Sequence, residues 1–243
     1  MTAKADCACA ELTAVVLCGG KGERLRPFTE SLPKPLVPLN GRPLLAYLLE
    51  HLHRQGVRRF VLCTGYKAAE IERFAREHPL PGAELRCIDA GDVSMADRVI
   101  AARGCVPGRA LLCYGDTIAN VDLSELERSH ERARAMATVS VYPLQSPFGV
   151  VDVAEGSGRV VGLSEKPLLP YWINIGYIFC ELAALDLLVP GADLVGFLRE
   201  VMAREALHAY RHRGKHLTVN TEKERSEAEH EVEFFSVVEG KGS

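Results

Sequence analysis

The chain lacks a long apolar segment. In its 243 residues, no apolar run approaches the length of about 18 residues that a membrane-spanning helix needs. The first ten residues are short and mixed in character, without the apolar core of a secretory signal. We therefore expect residues 1–10 to form a disordered leader, and we expect no membrane partner.

The chain also lacks an excess of positive charge and a cysteine pattern typical of disulfide-bonded or metal-binding proteins. The formal net charge is −3, which argues against a nucleic-acid partner. None of the eight cysteines forms a C-x-x-C pair, and Cys7-x-Cys9 is a weak metal candidate. Four others lie in apolar, strand-like runs, where cysteine behaves as a small buried side chain: Cys18, Cys63, Cys113 and Cys180. We expect a reducing, cytoplasmic compartment.

The two familiar phosphate-loop motifs are absent, although a glycine-rich loop is present. Residues 14–18 are apolar and rich in β-branched side chains, which predicts a buried strand. The loop that follows, residues 19–22, contains three glycines, so its amides can approach an anion closely. It is not a P-loop, because Lys21 precedes Gly22 rather than Ser or Thr. It is not a dinucleotide fingerprint either, because Leu25 takes the third glycine position.

Positive charge follows this loop at once. The cations are Arg24, Arg26 and Lys34, and the prolines that stiffen the same segment are Pro27, Pro33 and Pro35. A generic glycine-rich turn is the alternative, but a turn does not need these cations. The stretch predicts a phosphate cradle surrounded by permanent positive charge.

Strand and helix patterns alternate through the first half of the chain. The predicted strands cover residues 60–63, 85–88, 110–114 and 138–142, and the predicted helices cover residues 43–56, 67–77, 95–103 and 123–135. This alternation is typical of βαβ units and of a mostly parallel sheet covered on both faces.

The second half has a different pattern. Short strands at residues 150–153 and 160–163 flank a glycine-containing turn, which predicts a hairpin. Further elements are predicted as a strand at 173–180, helices at 182–188, 194–204 and 222–230, and a strand-like piece at 232–238 that could pair with a neighbouring chain in a homo-oligomer. No repeat or linker divides the chain, so we expect a single domain over residues 11–243.

The glycine-rich stretch resembles the signature of the sugar-1-phosphate nucleotidyltransferases, which reads G-G-x-G-[TS]-R-L-x-P-x-T and then P-K-P. This chain has GGKGERLRPFT and PKP, and only Glu23 departs. The resemblance covers residues 14 to about 229. It implies an α/β fold, a doubly wound Rossmann-like sheet with a small sugar-binding β insertion. It also divides the domain into a nucleotide-binding half, 11–136, and a sugar-phosphate-binding half, 137–243.

An aspartate follows the predicted strand at residues 110–114. A carboxylate beyond a strand end, facing a triphosphate, suits Mg²⁺, although Asp116 could instead cap a turn. The resemblance implies that Asp116 binds the metal, that Arg24 contacts the β- and γ-phosphates, and that Lys34 contacts the α-phosphate. It also implies nucleotide binding by Leu17, Gly19, Gly20, Gly22, Arg24 and Gly115.

A second group of polar residues lies in the later half. Lys166 precedes a proline, which holds it away from a helix, and a solvated turn is the alternative reading. The resemblance implies that Lys166 binds the sugar phosphate and that Glu165 and Asn174 bind sugar hydroxyls. It places Gly149 near the sugar and implies that Gly176 leaves room for the ring.

The late motif of the family often supplies a second metal contact from an aspartate, and this chain has Asn220 there. An amide oxygen can coordinate Mg²⁺ without adding charge. Residues 88–95 resemble the glucose-1-phosphate cytidylyltransferases, but Ala96, Asp97 and Arg98 replace the glycine pair near the base. Residues 219–221 look more like guanylyl- and uridylyl-transferring relatives, so the nucleobase stays open.

The resemblance implies an enzyme that forms an NDP-sugar and pyrophosphate from an NTP and a sugar 1-phosphate with Mg²⁺. The sugar phosphate would attack the α-phosphorus in line. The alternative is a nucleotide-sugar-binding regulatory subunit whose chemistry has decayed, motivated by Asn220 and the missing glycine pair. A glycosyltransferase would call for an Asp-x-Asp motif at a strand end, which the chain lacks.

Overall fold

A seven-stranded sheet forms the centre of the computed structural model, which describes residues 11–235. Its strands are β1 (Thr13–Leu17), β4 (Arg59–Thr64), β5 (Glu84–Asp89), β6 (Ala110–Tyr114), β8 (Ala137–Gln145), β11 (Leu168–Cys180) and β12 (Leu207–Arg211). Across the sheet the order is β12-β8-β11-β6-β1-β4-β5. Strands from both predicted halves thus belong to one sheet.

Most neighbouring strands are parallel. Strands β5, β4, β1 and β6 run in one direction, and β12 is parallel to β8. Strand β11 is antiparallel to both β6 and β8. The connection from β8 to β11 contains no helix, which suits antiparallel strands because parallel neighbours need a crossover. The predicted α/β fold with a mostly parallel sheet is confirmed, with β11 as the reversed strand.

Helices cover both faces of the sheet. They are α1 (Phe28–Ser31), α2 (Leu44–Arg54), α3 (Ala68–Glu77), α4 (Met95–Ala102), α5 (Leu123–Ala133), α6 (Leu194–Met202) and α7 (Glu222–Glu231). Alternate residues of β1 enter different cores: Ala14 and Val16 pack with α2, α3 and α5, while Val15 and Leu17 pack with α4 and α6. Burial on both faces is the reason that residues 14–17 of this strand are all apolar.

Three two-stranded sheets complete the described part of the chain. β2 (Pro38–Leu39) pairs with β3 (Arg42–Pro43), and β9 (Val150–Val153) pairs with β10 (Val160–Ser164) as predicted. The third joins β7 (Thr117–Ala119) to β13 (His216–Thr218) in antiparallel register, with Thr117 opposite Thr218. This third pairing, which we did not predict, brings two distant segments together beside the end of β6.

Two predicted elements differ in type. Leu182–Leu187 is a 3-10 helix rather than an α-helix, and Val232–Phe235 is a 3-10 helix rather than a strand. Val232 and Phe235 are buried, so this segment cannot serve as the free strand through which we predicted a homo-oligomer. Residues 236–238 of that prediction, and the predicted leader, lie outside the described residues.

The helices of residues 11–235 are all too short or too polar to cross a membrane.

Candidate active site

A cavity of about 420 Å³ opens at the carboxyl ends of β1 and β6 and extends along β11. Open α/β sheets bind ligands at the carboxyl ends of their strands. Eight residues singled out from the sequence line it: Leu17, Gly19, Gly20, Arg24, Lys34, Asp116, Asn174 and Asn220. Arg26, the remaining cation of the predicted cradle, is exposed and does not line it.

The centre of the cavity is an ammonium group held by two oxygens. The Lys34 ammonium donates to Asp116 Oδ2 at 2.5 Å and to Asn220 Oδ1 at 2.8 Å. Its side chain is only 11% exposed. Arg24 Nη2 also donates to Asn220 Oδ1, at 3.1 Å. Two cations, one carboxylate and one amide from three separate segments therefore meet in one place.

Local structure fixes each of these groups. Lys34 begins a short 3-10 helix between Pro33 and Pro35, so its backbone has little freedom. Asp116 lies between β6 and β7, and its carbonyl accepts from Val219 N–H at 3.2 Å. That bond, next to the β7–β13 pairing, places Asn220 beside Asp116.

Asn220 is also held from its other side. Helix α7 begins with a capping box, in which Thr221 accepts from Glu224 N–H and Glu224 accepts from Thr221 N–H. The same Glu224 carboxylate accepts from Asn220 N–H at 2.6 Å. The start of α7 thereby fixes the backbone of Asn220 as well as its own first turn.

Two predicted nucleotide-binding glycines do not line the cavity. Gly22 has φ of 61°, and a Cβ there would lie 2.9 Å from Lys34 Cβ. Gly115 N–H donates to the Leu17 carbonyl, and a Cβ would lie 2.8 Å from that oxygen. Both positions allow close packing behind the site, while Gly19 and Gly20 form its surface.

The predicted sugar residues are separated in the structure. Asn174 lines the cavity, and its Oδ1 accepts from Gly176 N–H at 2.8 Å. Gly176 has φ of 74°, and a Cβ there would lie 2.5 Å from the Tyr114 ring. A side chain at this position would therefore meet the Tyr114 ring, and the role of Gly176 beside a sugar stays a prediction.

Gly149, Glu165 and Lys166 lie outside the cavity. They flank the β9–β10 hairpin and are exposed, with the Glu165 carboxylate beside Gly149. Lys166 has φ of 43°, and its carbonyl accepts from Gln145 Nε2 at 3.2 Å. The structure does not bring these three residues to the Lys34 ammonium.

Two basic residues of the cavity were not predicted as site residues from the sequence. His216 lies on β13, and burial, with a smaller effect of His212, lowers its pKa to about 4. It is therefore a neutral hydrogen-bonding group at pH 7. Arg98 lies on α4 and was noted only as a replacement for a glycine pair. Neither residue has a local sequence signal, because both face the cavity only through the tertiary fold.

The oxygens around Lys34 fit a magnesium ion. Asp116 Oδ2 and Asn220 Oδ1 both lie within hydrogen-bonding distance of one nitrogen, so they converge on a common point. A carboxylate and an amide oxygen are hard donors of the kind Mg²⁺ accepts, and Mg²⁺ takes its other ligands from substrate phosphates and water.

The chain belongs to the nucleotidyl transferase family, whose model matches residues 13–212. Several of its relatives are named as nucleotidyltransferases of sugar 1-phosphates. One is named "probable glucose-1-phosphate cytidylyltransferase", from Bacillus subtilis, and is 28% identical over 87% of this chain and 92% of its own length. Another is the mannose-1-phosphate guanylyltransferase of Mycobacterium tuberculosis, 32% identical over 79% of this chain but only 54% of its own length.

Solved structures share the fold. A Bacillus anthracis protein solved with sucrose has a TM-score of 0.76 at 18% identity, covering 95% of this chain and 98% of that one. HddC from Yersinia pseudotuberculosis, complexed with GMP-PN, has a TM-score of 0.70 at 19% identity, covering 90% of this chain and 98% of that one. At these identities the likeness concerns the fold alone.

Proposed function

We propose that this protein converts an NTP and a sugar 1-phosphate into an NDP-sugar and pyrophosphate. The observation that carries the proposal is the convergence of Lys34, Arg24, Asp116 and Asn220 in one cavity beside a glycine loop. Such a cavity is suited to hold polyphosphate and to neutralise the charge that develops during phosphoryl chemistry.

The cations have distinct roles in this proposal. Arg24 binds the β- and γ-phosphates that leave as pyrophosphate, and Lys34 binds the α-phosphate at the reacting centre. An oxygen of the sugar phosphate attacks the α-phosphorus in line. Positioning and charge neutralisation then account for the rate, because no protein nucleophile is required.

Asp116 and Asn220 are the residues that would hold Mg²⁺. When bound, this ion supplies positive charge at the phosphates, which otherwise repel the incoming sugar phosphate. For the sugar 1-phosphate we propose Asn174 at a hydroxyl, with Glu165, Lys166 and Gly149 contributing from the hairpin and Lys166 binding the phosphate. Four of the six cysteines among residues 11–235 are buried and all six are free thiols, which suits the reducing cytoplasm as its location.

The test is pyrophosphate release across a panel of NTPs and sugar 1-phosphates with Mg²⁺. Release with at least one pair, abolished by EDTA, supports the proposal. Binding of NTP without release from any pair contradicts it and supports the regulatory-subunit alternative. The panel also determines the base and the sugar.

A further inference from the structure

The β9–β10 hairpin has an apolar face that is open to solvent. Leu163 lies directly opposite Val151, and Val160 lies opposite Val153. Side chains directly opposite each other in an antiparallel pair share a face, and so do residues two apart on one strand. These four apolar side chains therefore form one face, and they are between 48% and 77% exposed.

The other face of the hairpin is mostly small or polar. Asp152 lies opposite Gly162, and a Cβ at Gly162 would meet the Asp152 carboxylate. The remaining pair on this face is Ser164, which is exposed, opposite Val150, which is half-buried. The hairpin thus has the apolar-and-polar alternation of a strand pair that packs one face against a partner.

No such partner is present among residues 11–235. Strands β9 and β10 pair only with each other within this range, and a lone two-stranded sheet is marginally stable in water. Two further apolar side chains are exposed at the base of the hairpin, Phe148 at 75% and Leu168 at 67%. We call the six exposed apolar residues of the hairpin and its base the hairpin patch: Phe148, Val151, Val153, Val160, Leu163 and Leu168.

The size of the hairpin patch suits a dimer of this chain. At roughly 100 Å² of exposed surface for each of its six side chains, it offers about 600 Å² of apolar surface, at the upper end of what monomeric proteins leave exposed. One side of a standard interface buries about 800 Å², of which about 65% is apolar in homodimers. The patch can therefore supply the whole apolar part of one side of such an interface.

Charged side chains of both signs border the hairpin patch at its two ends. The tip of the hairpin carries Glu155 and Arg159, and the base carries Glu165 and Lys166. None of these four forms an ion pair with another of the described residues. If two hairpins pack face to face in antiparallel directions, each tip lies over the base of the other, and both ends bring a carboxylate to a cation. The ends therefore favour a second copy of the same hairpin.

We propose that the hairpin patch is the contact through which two copies of this chain form a two-fold symmetric dimer. A two-fold contact uses the same surface on both copies, so it needs a surface that complements itself. An uncharged apolar centre with both signs of charge at its ends meets that requirement. The hairpin patch thus takes the place of Val232–Phe235, whose buried side chains exclude it as the oligomer contact.

The experiment is sedimentation velocity of the full chain at protein concentrations of about 1 and 100 μM. We expect the wild-type protein to sediment as a dimer at the higher concentration. Leu163→Lys and Val151→Lys each place a charge in the patch. Each is expected to raise the dissociation constant of the dimer at least about tenfold, because an unpaired charge in an interface is costly.

Val195→Lys is the matched control. Val195 on α6 is 50% exposed and Val151 is 48% exposed, so the two substitutions remove the same side chain and add the same charge at equally exposed positions. Val195→Lys is expected to change the dissociation constant less than about twofold. Circular dichroism checks the fold of each variant. Leu163→Ala, which adds no charge, carries the test if the lysine variants do not fold, with an expected loss of about fivefold.

Three outcomes overturn the inference. The wild-type protein remains monomeric at the higher concentration, the folded patch variants dimerise as tightly as the wild type, or Val195→Lys weakens the dimer as much as Val151→Lys does. The proposed function is tested separately by pyrophosphate release, so a monomeric enzyme that releases pyrophosphate would refute only the dimer contact.

Discussion

At the scale of single residues, the proposed reaction depends most on the Lys34 ammonium. It is nearly buried and contacts both proposed metal-binding oxygens. Lys34→Met is expected to lower kcat of pyrophosphate release by about a hundredfold or more, because a charge-stabilising group at the reacting centre is lost.

Arg26→Ala is the matched control for Lys34→Met. It removes a cation from the same segment, but its side chain is exposed and outside the cavity, so kcat is expected to stay within about twofold. Equal losses in the two variants would contradict the assignment of Lys34 and would point to a general effect of charge.

The sequence predicted cavity residues that belong to a recognisable local motif, and it missed residues that reach the cavity only through the tertiary fold. Lys34 and Asp116 follow from the glycine loop, the prolines and a strand end. Arg98 and His216 could not be found, since their cavity positions depend on how α4 and β13 pack. Nor could the sequence show that the backbone of Gly176 packs against the Tyr114 ring.

At the scale of elements, two adjacent glycines of the glycine loop differ in the space available for a side chain. Gly19→Ala places a Cβ against Arg98 and the Thr64 carbonyl, whereas a Cβ at Gly20 meets nothing within 4 Å. Because the Thr64 backbone cannot move freely, Gly19→Ala is expected to lower the free energy of unfolding by about 1–3 kcal/mol. Urea unfolding measures this loss, with Gly20→Ala as the control. Equal losses in the two variants would contradict the close contact of a Cβ at residue 19 with Arg98 and the Thr64 carbonyl.

The start of α7 links helix stability to the site. Glu224→Ala removes half of the capping box and the acceptor for Asn220 N–H. It is expected to lower the free energy of unfolding by about 0.5–2 kcal/mol and to raise the Mg²⁺ concentration needed for half-maximal activity. Glu227 lies on the same helix with an exposed side chain, and Glu227→Ala is expected to change neither the free energy of unfolding nor the Mg²⁺ requirement. Equal changes in both variants would contradict the role of Glu224.

Long periodic elements were predictable, and short pairings were not. Helix α2 and strand β6 carry strong apolar patterns, and the structure reproduces them within a residue or two. Strands β7 and β13 have three residues each and pair across about a hundred positions of sequence, so no local pattern reveals them. The site depends on that pairing, because it places Asn220 beside Asp116.

At the scale of the whole molecule, buried histidines make stability depend on pH. Burial lowers the pKa of four of them, to about 4 for two, and they are spread over the fold: His51, His130, His212 and His216. In the unfolded chain these histidines become protonated near pH 6.5. In the folded chain they stay neutral to a lower pH, because burial lowers their pKa. The contribution of these histidines to the free energy of unfolding is therefore complete above pH 6.5 and is lost as the pH drops toward 4.

Chemical unfolding at pH 7.5, 6.5, 5.5 and 4.5 measures this effect. Each histidine is expected to lower the free energy of unfolding by up to about 1.4 kcal/mol per pH unit between 6.5 and its folded pKa. A stability that is constant between pH 7.5 and 5 would show that these histidines are protonated equally in both states.

The ammonium that bridges Asp116 and Asn220 has a final consequence. In the structure the Lys34 ammonium already neutralises the Asp116 carboxylate. A free divalent ion would therefore compete with Lys34 for the same two oxygens. In the proposed function, a triphosphate would attract that lysine and release the oxygens, so that metal and nucleotide would bind cooperatively. Titration with Mg²⁺ alone is therefore expected to give a weaker affinity than titration in the presence of an NTP.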